Sequence, residues 1–349
     1  MNLTAGPKDA RARAARRVVS ASFLLLGLVA LCAGSAEARG RKYGLFVGIN
    51  AYTGGTDPLY GCVNDANDLQ RAMINRYGFS RRDTSLLTDA RATRRNILNA
   101  IKLYQARATA GDLFVFTYSG HGTLFPDSYS DVQDETKDVY LEVGGEVWYP
   151  RDKYDSALVP VDADLASSGK PWRNLILDDE LYTAFSAFTA KGAHVVFLSD
   201  SCHSGSIGRA IATDEFRPRT QPLARIFRAR SFDRLRLRRE RRRGRRAAPP
   251  RLVMPEGLYV ALTGSRDDEF SLDWRPANAK PTGLFTYVLL DTIRREGTGL
   301  TYRELMDKVS STVASMAQRK DNSQHPQLDL RFFRGDANMT AFSLPTASR

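Results

Sequence analysis

Two stretches of this chain, Asp112 to Tyr118 and Ala193 to Leu198, are nearly unbroken apolar runs. A strand with one wet face alternates apolar with polar residues, and an unbroken run has no face to give to water. Such strands belong to a sheet covered on both sides. Each run then ends in the same way, in small residues around one reactive side chain. The first leads into Ser119-Gly120-His121-Gly122, the second into Ser199-Asp200-Ser201-Cys202-His203-Ser204-Gly205. In open α/β sheets the ligand lies beyond the carboxyl ends of the strands. Neighbouring strands would therefore bring an imidazole and a thiol to one edge.

The rest of the pattern agrees. Tyr43 to Ile49 and Thr84 to Leu87 read as strands. Asn64 to Tyr77 and Thr93 to Ala108 have helical spacing, the first stopping at Gly78 and the second capped by Thr93. A polar, acidic stretch, 124–154, interrupts the rhythm as an inserted loop or hairpin. Asp178 to Phe188 reads as a helix. A strand follows at Leu258 to Leu262, then helices near Gly283 to Arg295 and Thr301 to Ala317, then a closing strand near Leu328 to Phe333. Strands alternating with helices predict a three-layer α/β fold.

The net charge of +12 is unevenly placed. From Arg217 to Arg251 there are 15 arginines against Asp233 and Glu240, and without this block and the N-terminal region the chain is mildly acidic. Like-charge blocks of this kind are expected to be flexible. The N-terminus carries Arg11, Arg13, Arg16 and Arg17, an apolar run from Val18 to Ala33, and Ala36-Glu37-Ala38 as a cleavage signal. The run falls short of the ~20 residues of a spanning helix. Residues 1–38 therefore predict a signal peptide, export to the periplasm or outside the cell, and no membrane span once it is removed. The mature chain keeps Cys62 and Cys202, too few for a disulfide framework.

A thiolate attacks carbonyl carbon well, but a free thiol is mostly protonated at neutral pH, and an imidazole beside it removes that proton. Cys202 as nucleophile and His121 as base fit this chemistry, with backbone N–H groups at Gly122 and Cys202 as an oxyanion site. His203 adjoins Cys202 but would point the other way on an extended segment. No cofactor is required.

These runs resemble the caspase-like cysteine peptidases, and most of all metacaspases. Supporting pieces recur in order: Gly48-Ile49-Asn50, Gly61-Cys62-Val63-Asn64-Asp65-Ala66, Ala157-Leu158-Val159-Pro160-Val161-Asp162, Leu177-Asp178-Asp179-Glu180-Leu181, Ala261-Leu262-Thr263-Gly264-Ser265, Gly283-Leu284-Phe285-Thr286 and Gln324-His325-Pro326-Gln327-Leu328. The resemblance implies a mostly parallel six-stranded sheet with helices on both faces, and a Cys–His dyad. It implies a large portion at 39–215, an arginine-rich linker at 216–250, a small portion at 251–335 and a tail at 336–349.

Asp65, Ser119 and Asp200 match positions lining the primary specificity pocket of metacaspases. Two carboxylates in one pocket repel each other until a cation arrives, which predicts cleavage of protein or peptide substrates after arginine or lysine. The linker is rich in that residue, which predicts self-cleavage between Arg217 and Arg251. Asp155, Asp178 and Asp179 match acidic positions of the family's calcium site, whereas Arg209 stands where a further aspartate is common. Calcium dependence stays open. So does a second reading, an exported protein that uses the basic segment to bind anionic surfaces or nucleic acid, with an idle peptidase-like body. A nucleic-acid partner is not expected, because no nucleic-acid-binding fold surrounds the segment. The chain is expected to be a monomer.

Overall fold

The computed structural model describes residues 40–53, 56–126, 141–143, 146–148, 154–164, 174–202, 215–220, 258–266, 269–330 and 338–344. The expected signal peptide lies outside these residues, as do His203, Gly205, Arg209 and the arginine-rich stretch beyond Thr220. Among the described residues no helix is long and apolar enough to cross a membrane.

In chain order the strands are β1 (Lys42–Gly48), β2 (Thr84–Thr88), β3 (Leu113–Ser119), β4 (Gly122–Pro126), β5 (Leu141–Val143), β6 (Glu146–Trp148), β7 (Tyr154–Leu158), β8 (Ile176–Leu177), β9 (His194–Asp200), β10 (Phe216–Pro218), β11 (Tyr259–Thr263), β12 (Leu272–Trp274), β13 (Thr282–Gly283) and β14 (Gln327–Asp329). The helices are α1 (Cys62–Tyr77), α2 (Arg94–Arg107), α3 (Asp178–Thr189), α4 (Leu284–Glu296) and α5 (Tyr302–Gln318). The main sheet has the order β14-β11-β9-β3-β1-β2. Its pairings are parallel except at the edge, where β14 runs antiparallel to β11.

Strand alternation splits the apolar residues between two cores. Phe46, Val115, Val196 and Leu198 pack with α1, α4 and α5 on one face. Leu45, Val47, Phe114, Phe116 and Val195 pack with α2 and α3 on the other. Phe114 and Phe188 stack with ring centroids 4.5 Å apart. This is why the strands read as unbroken runs: both faces are dry, and the expected three-layer α/β fold is the result. Helix ends follow local rules too. α1 stops where Gly78 takes a left-handed φ of 71°. The Thr93 hydroxyl accepts the Asn96 N–H at 3.2 Å and caps α2.

The acidic insertion holds a hairpin, β5 with β6, one of its two expected forms, and β4 pairs with β7. Two boundaries differ from expectation. The closing strand is short, and residues 331–337 lie outside the described ones. The expected linker does not begin as loose chain. Phe216–Pro218 is a strand in a small sheet ordered β10-β12-β13. Pairing with Leu272–Trp274 explains this, since it gives those backbone groups partners that the charge count could not reveal.

Candidate active site

Strands β3 and β9 lie side by side, and their pairing ends with Ser119 opposite Asp200. His121 and Cys202 each stand two residues past that last pair. The equal overhang places them at one level on the carboxyl edge, and a shared acceptor confirms their nearness. The N–H groups of Gly122 and Cys202 donate to the same oxygen, the Arg219 carbonyl, at 3.1 and 3.2 Å.

His121 is buried and held from three sides. Its N–H donates to the Tyr52 hydroxyl at 2.7 Å, and the two rings are 4.8 Å apart. Its carbonyl accepts the Val159 N–H at 3.1 Å. Its Nε2 lies 2.8 Å from the Asp57 carbonyl oxygen. A carbonyl only accepts, so Nε2 carries the proton and the neutral ring keeps its lone pair on Nδ1. That atom is buried with no hydrogen-bond partner among the described residues. Burial pulls the imidazole pKa down to about 4, against the opposing pull of the Asp57 carbonyl. The ring is a neutral base at physiological pH. Gly120 permits this packing, because a Cβ there would lie 2.6 Å from the Tyr52 hydroxyl.

The Cys202 thiol donates to the Glu269 carbonyl at 2.8 Å. A thiol that donates is protonated, so this contact holds the sulfur in its unreactive form. Glu269 is fastened in turn. Its carboxylate accepts from the Ser323 hydroxyl at 2.7 Å and the His325 N–H at 2.8 Å, and lies 2.6 Å from His325 Nδ1. Cys62 and Cys202 are both buried free thiols and are not joined to each other.

Beside the thiol is a fully buried ionic cluster. One Arg219 nitrogen lies 2.7 Å from Asp65 and 2.9 Å from Asp273, and the other lies 3.2 Å from Asp200. All four side chains have zero exposure. Asp65 sits in the first turn of α1 but does not cap it. Its oxygens accept from the Thr282 hydroxyl and the Gly283 N–H. Asp200 accepts from the hydroxyls of Ser271 and Thr286 and from the Thr286 N–H. Burial raises the Asp65 pKa to about 6, with Arg219 lowering it and Asp200 adding to the rise. Burial also opposes the Arg219 charge, but the surrounding carboxylates outweigh it and hold the guanidinium protonated. Three carboxylates around one guanidinium make a pocket that needs a cation.

Sequence reasoning named Asp65 and Asp200 here but missed Asp273 and Arg219. Asp273 sits on β12, a three-residue strand too short for a periodic signal, and Arg219 was one arginine among fifteen. Ser119 is buried, and its hydroxyl has no hydrogen-bond partner among the described residues, Arg219 included. Asp178 and Asp179 open α3. Asp178 accepts the N–H groups of Ser156 and Asp179. Asp155 is described by its backbone alone, in β7 opposite Phe125. Among the described residues no group of three or more His, Cys, Asp or Glu is arranged to hold a metal ion.

The caspase-domain model of peptidase family C14 matches residues 41–336. Metacaspase-1 of Cryptococcus neoformans var. neoformans is 33% identical over 176 residues, covering 49% of this chain and 33% of that protein. Metacaspase-8 of Arabidopsis thaliana is 30% identical over 171 residues, covering 48% of this chain and 38% of that protein. The chain thus spans well under half the length of these curated relatives. A solved structure of a protein from Geobacter sulfurreducens has the same fold, with a TM-score of 0.58 and 22% identity, covering 88% of this chain and 100% of that one.

Proposed function

The chain belongs to the caspase-domain family, and on that premise we propose that it is a cysteine endopeptidase that cuts after arginine and, more slowly, after lysine. One observation carries the reading: a single residue, Arg219, has its carbonyl on the two N–H groups beside the imidazole and thiol, and its side chain in a cavity of three aspartates. That is how a peptidase would hold the residue whose carbonyl it attacks.

In this reading Cys202 is the nucleophile and His121 the base. The thiol leaves the Glu269 carbonyl and passes its proton to His121 Nδ1, while Sγ bonds to the substrate carbonyl carbon. The oxygen takes up negative charge between the Gly122 and Cys202 N–H groups, where losing one such donor costs ~3 kcal/mol of barrier. His121 returns the proton to the leaving amine, and water then hydrolyses the thioester. Arginine suits the pocket better than lysine because a planar guanidinium offers separate nitrogens to separate carboxylates.

Self-cleavage in the basic segment belongs to the same proposal, supported by the position of Arg219. Export rests on residues 1–38 alone. Calcium dependence is a separate part of the proposal: Asp178 accepts two backbone N–H groups at the start of α3, and the chemistry proposed here uses no metal. The test is hydrolysis of matched peptides ending in arginine, lysine or aspartate, with and without calcium. Arginine should lead and Cys202→Ala should be inert. Faster cleavage after aspartate would overturn the specificity.

A further inference from the structure

The contacts around Arg219 extend along the chain before it. Its N–H donates to the Ser271 carbonyl at 2.9 Å. β10 then continues antiparallel to β12, with Pro218 opposite Leu272, Arg217 opposite Asp273, and Phe216 opposite Trp274. Phe216 is buried, and its ring is 6.3 Å from that of Trp274 and nearly parallel to it. Tyr287 packs edge-on against Trp274, with ring centroids 4.9 Å apart. The Arg217 guanidinium lies 4.8 Å from the centre of the Tyr60 ring. Beyond Arg219, Thr220 bridges to Gly122 in parallel register.

A purely structural fastener would need only the Arg219 side chain. Here its backbone is used completely as well. The N–H goes to a strand edge, and the carbonyl goes to the two donors that flank the reactive side chains. This is strand addition, the way an extended peptide is read: main-chain bonds hold it, and alternate side chains enter pockets.

Resting on the peptidase reading above, we propose that Phe216-Arg217-Pro218-Arg219 is a resident substrate, that the Arg219–Thr220 bond is cut in cis, and that the Trp274–Tyr287 site selects an aromatic residue three positions before the arginine. In the cut, Cys202 Sγ bonds to the Arg219 carbonyl carbon and the bond to the Thr220 nitrogen breaks. The thiol proton passes through His121 to the new amine. Water then cleaves the thioester, leaving an Arg219 carboxylate and the free thiol. Until that strand leaves, no other peptide can enter, so the uncut chain is inhibited by its own segment. Substrates in trans are extended peptides of the form aromatic-x-x-Arg.

The experiment follows purified wild type and Cys202→Ala over time by intact mass and N-terminal sequencing. It then offers the processed enzyme two reporter peptides, one ending Phe-Arg-Pro-Arg and one ending Ala-Arg-Pro-Arg. The wild type should yield a fragment beginning at Thr220 and Cys202→Ala should not. The aromatic peptide should be cut roughly tenfold better, the scale expected for a buried aromatic contact. Fragments that begin only after later arginines, or that form equally in Cys202→Ala, would overturn the assigned bond. Equal rates on the two peptides would overturn the aromatic site. In each case cleavage of both peptides after arginine would leave the broader peptidase reading standing. Cleavage of neither peptide would bring down that reading too.

Discussion

Arg219 and Cys202 meet backbone to backbone, the Cys202 N–H donating to the Arg219 carbonyl at 3.2 Å. The contact places one particular peptide carbonyl beside one particular thiol. It also explains why a full positive charge is buried with zero exposure, because the side chain of the same residue must reach Asp65, Asp200 and Asp273.

The pocket acids are expected to act mainly on binding. A hydrogen bond to a charged group contributes about 1.5–3 kcal/mol. Asp65→Asn and Asp273→Asn should therefore raise KM for arginine peptides roughly 10- to 100-fold. Asp200→Asn should do the same, because each of the three carboxylates also accepts from neighbouring backbone or hydroxyl donors that an amide nitrogen would face. Steady-state kinetics on one arginine peptide checks all three. An unchanged KM in Asp273→Asn would remove that residue from the pocket.

Gly283 leaves room for the pocket's occupant. A Cβ there would lie 2.1 Å from an Asp200 carboxylate oxygen and 2.6 Å from an Arg219 guanidinium nitrogen. Gly283→Ala, made in Cys202→Ala so that the chain stays uncut, should expel Arg219. Brief trypsin digestion should then cut after Arg219 in the double variant and spare it in the parent. Equal protection in both would contradict the close fit.

Acid should destabilise the fold partly through His121. Its pKa falls from an ordinary 6.5 to about 4 in the native state because of burial. Between those values the unfolded chain binds the proton and the folded one does not, so stability falls as pH drops through this window and is unaffected by this group above it. The full effect is about 3 kcal/mol. Asp65, raised from 3.8 to about 6, works in the opposite sense, losing stability as pH rises through its window. Denaturant unfolding of Cys202→Ala with and without His121→Gln isolates the histidine. The stability slope between pH 4 and 6.5 should flatten when His121 is gone, and an unchanged slope would show that it titrates normally.

The His325–Glu269 contact is expected to restrain the thiol from a distance. His325→Ala removes one of the anchors on the residue whose carbonyl holds the Cys202 proton. In an Arg219→Ala background, where the cleft is clear, this change should speed iodoacetamide labelling of Cys202 several-fold. Unaltered labelling would mean that the loop stays put without it.

Much of this was legible in the sequence where the physics is local. Leu113–Ser119 and His194–Asp200 announced a doubly covered sheet because all their residues but the half-buried Phe197 are buried, and Gly78 and Thr93 marked helix ends, one through a left-handed φ and the other through a side-chain cap. The pocket was only half legible. Asp65 and Asp200 are followed or preceded by recognisable elements, whereas Asp273 lies on a three-residue strand whose existence depends on pairing with β10. That pairing is long-range, between Phe216–Pro218 and Leu272–Trp274. Composition made the arginine-rich stretch look uniform, and only the fold distinguishes Arg219 from its neighbours. The Glu269 carbonyl carried no signal, since a backbone oxygen is present at every position.

The central claim is that Cys202 and His121 form a working thiol centre beside a pocket for basic side chains. The most direct measurement treats processed enzyme with a peptidyl-arginyl chloromethyl ketone and, separately, with its aspartyl counterpart, and locates the adduct by peptide mass mapping. The arginyl reagent should modify Cys202, leave Cys62 untouched and lose its speed in His121→Ala, while the aspartyl reagent should react far more slowly. Labelling of Cys62 instead, or equal labelling by both reagents, would contradict the account.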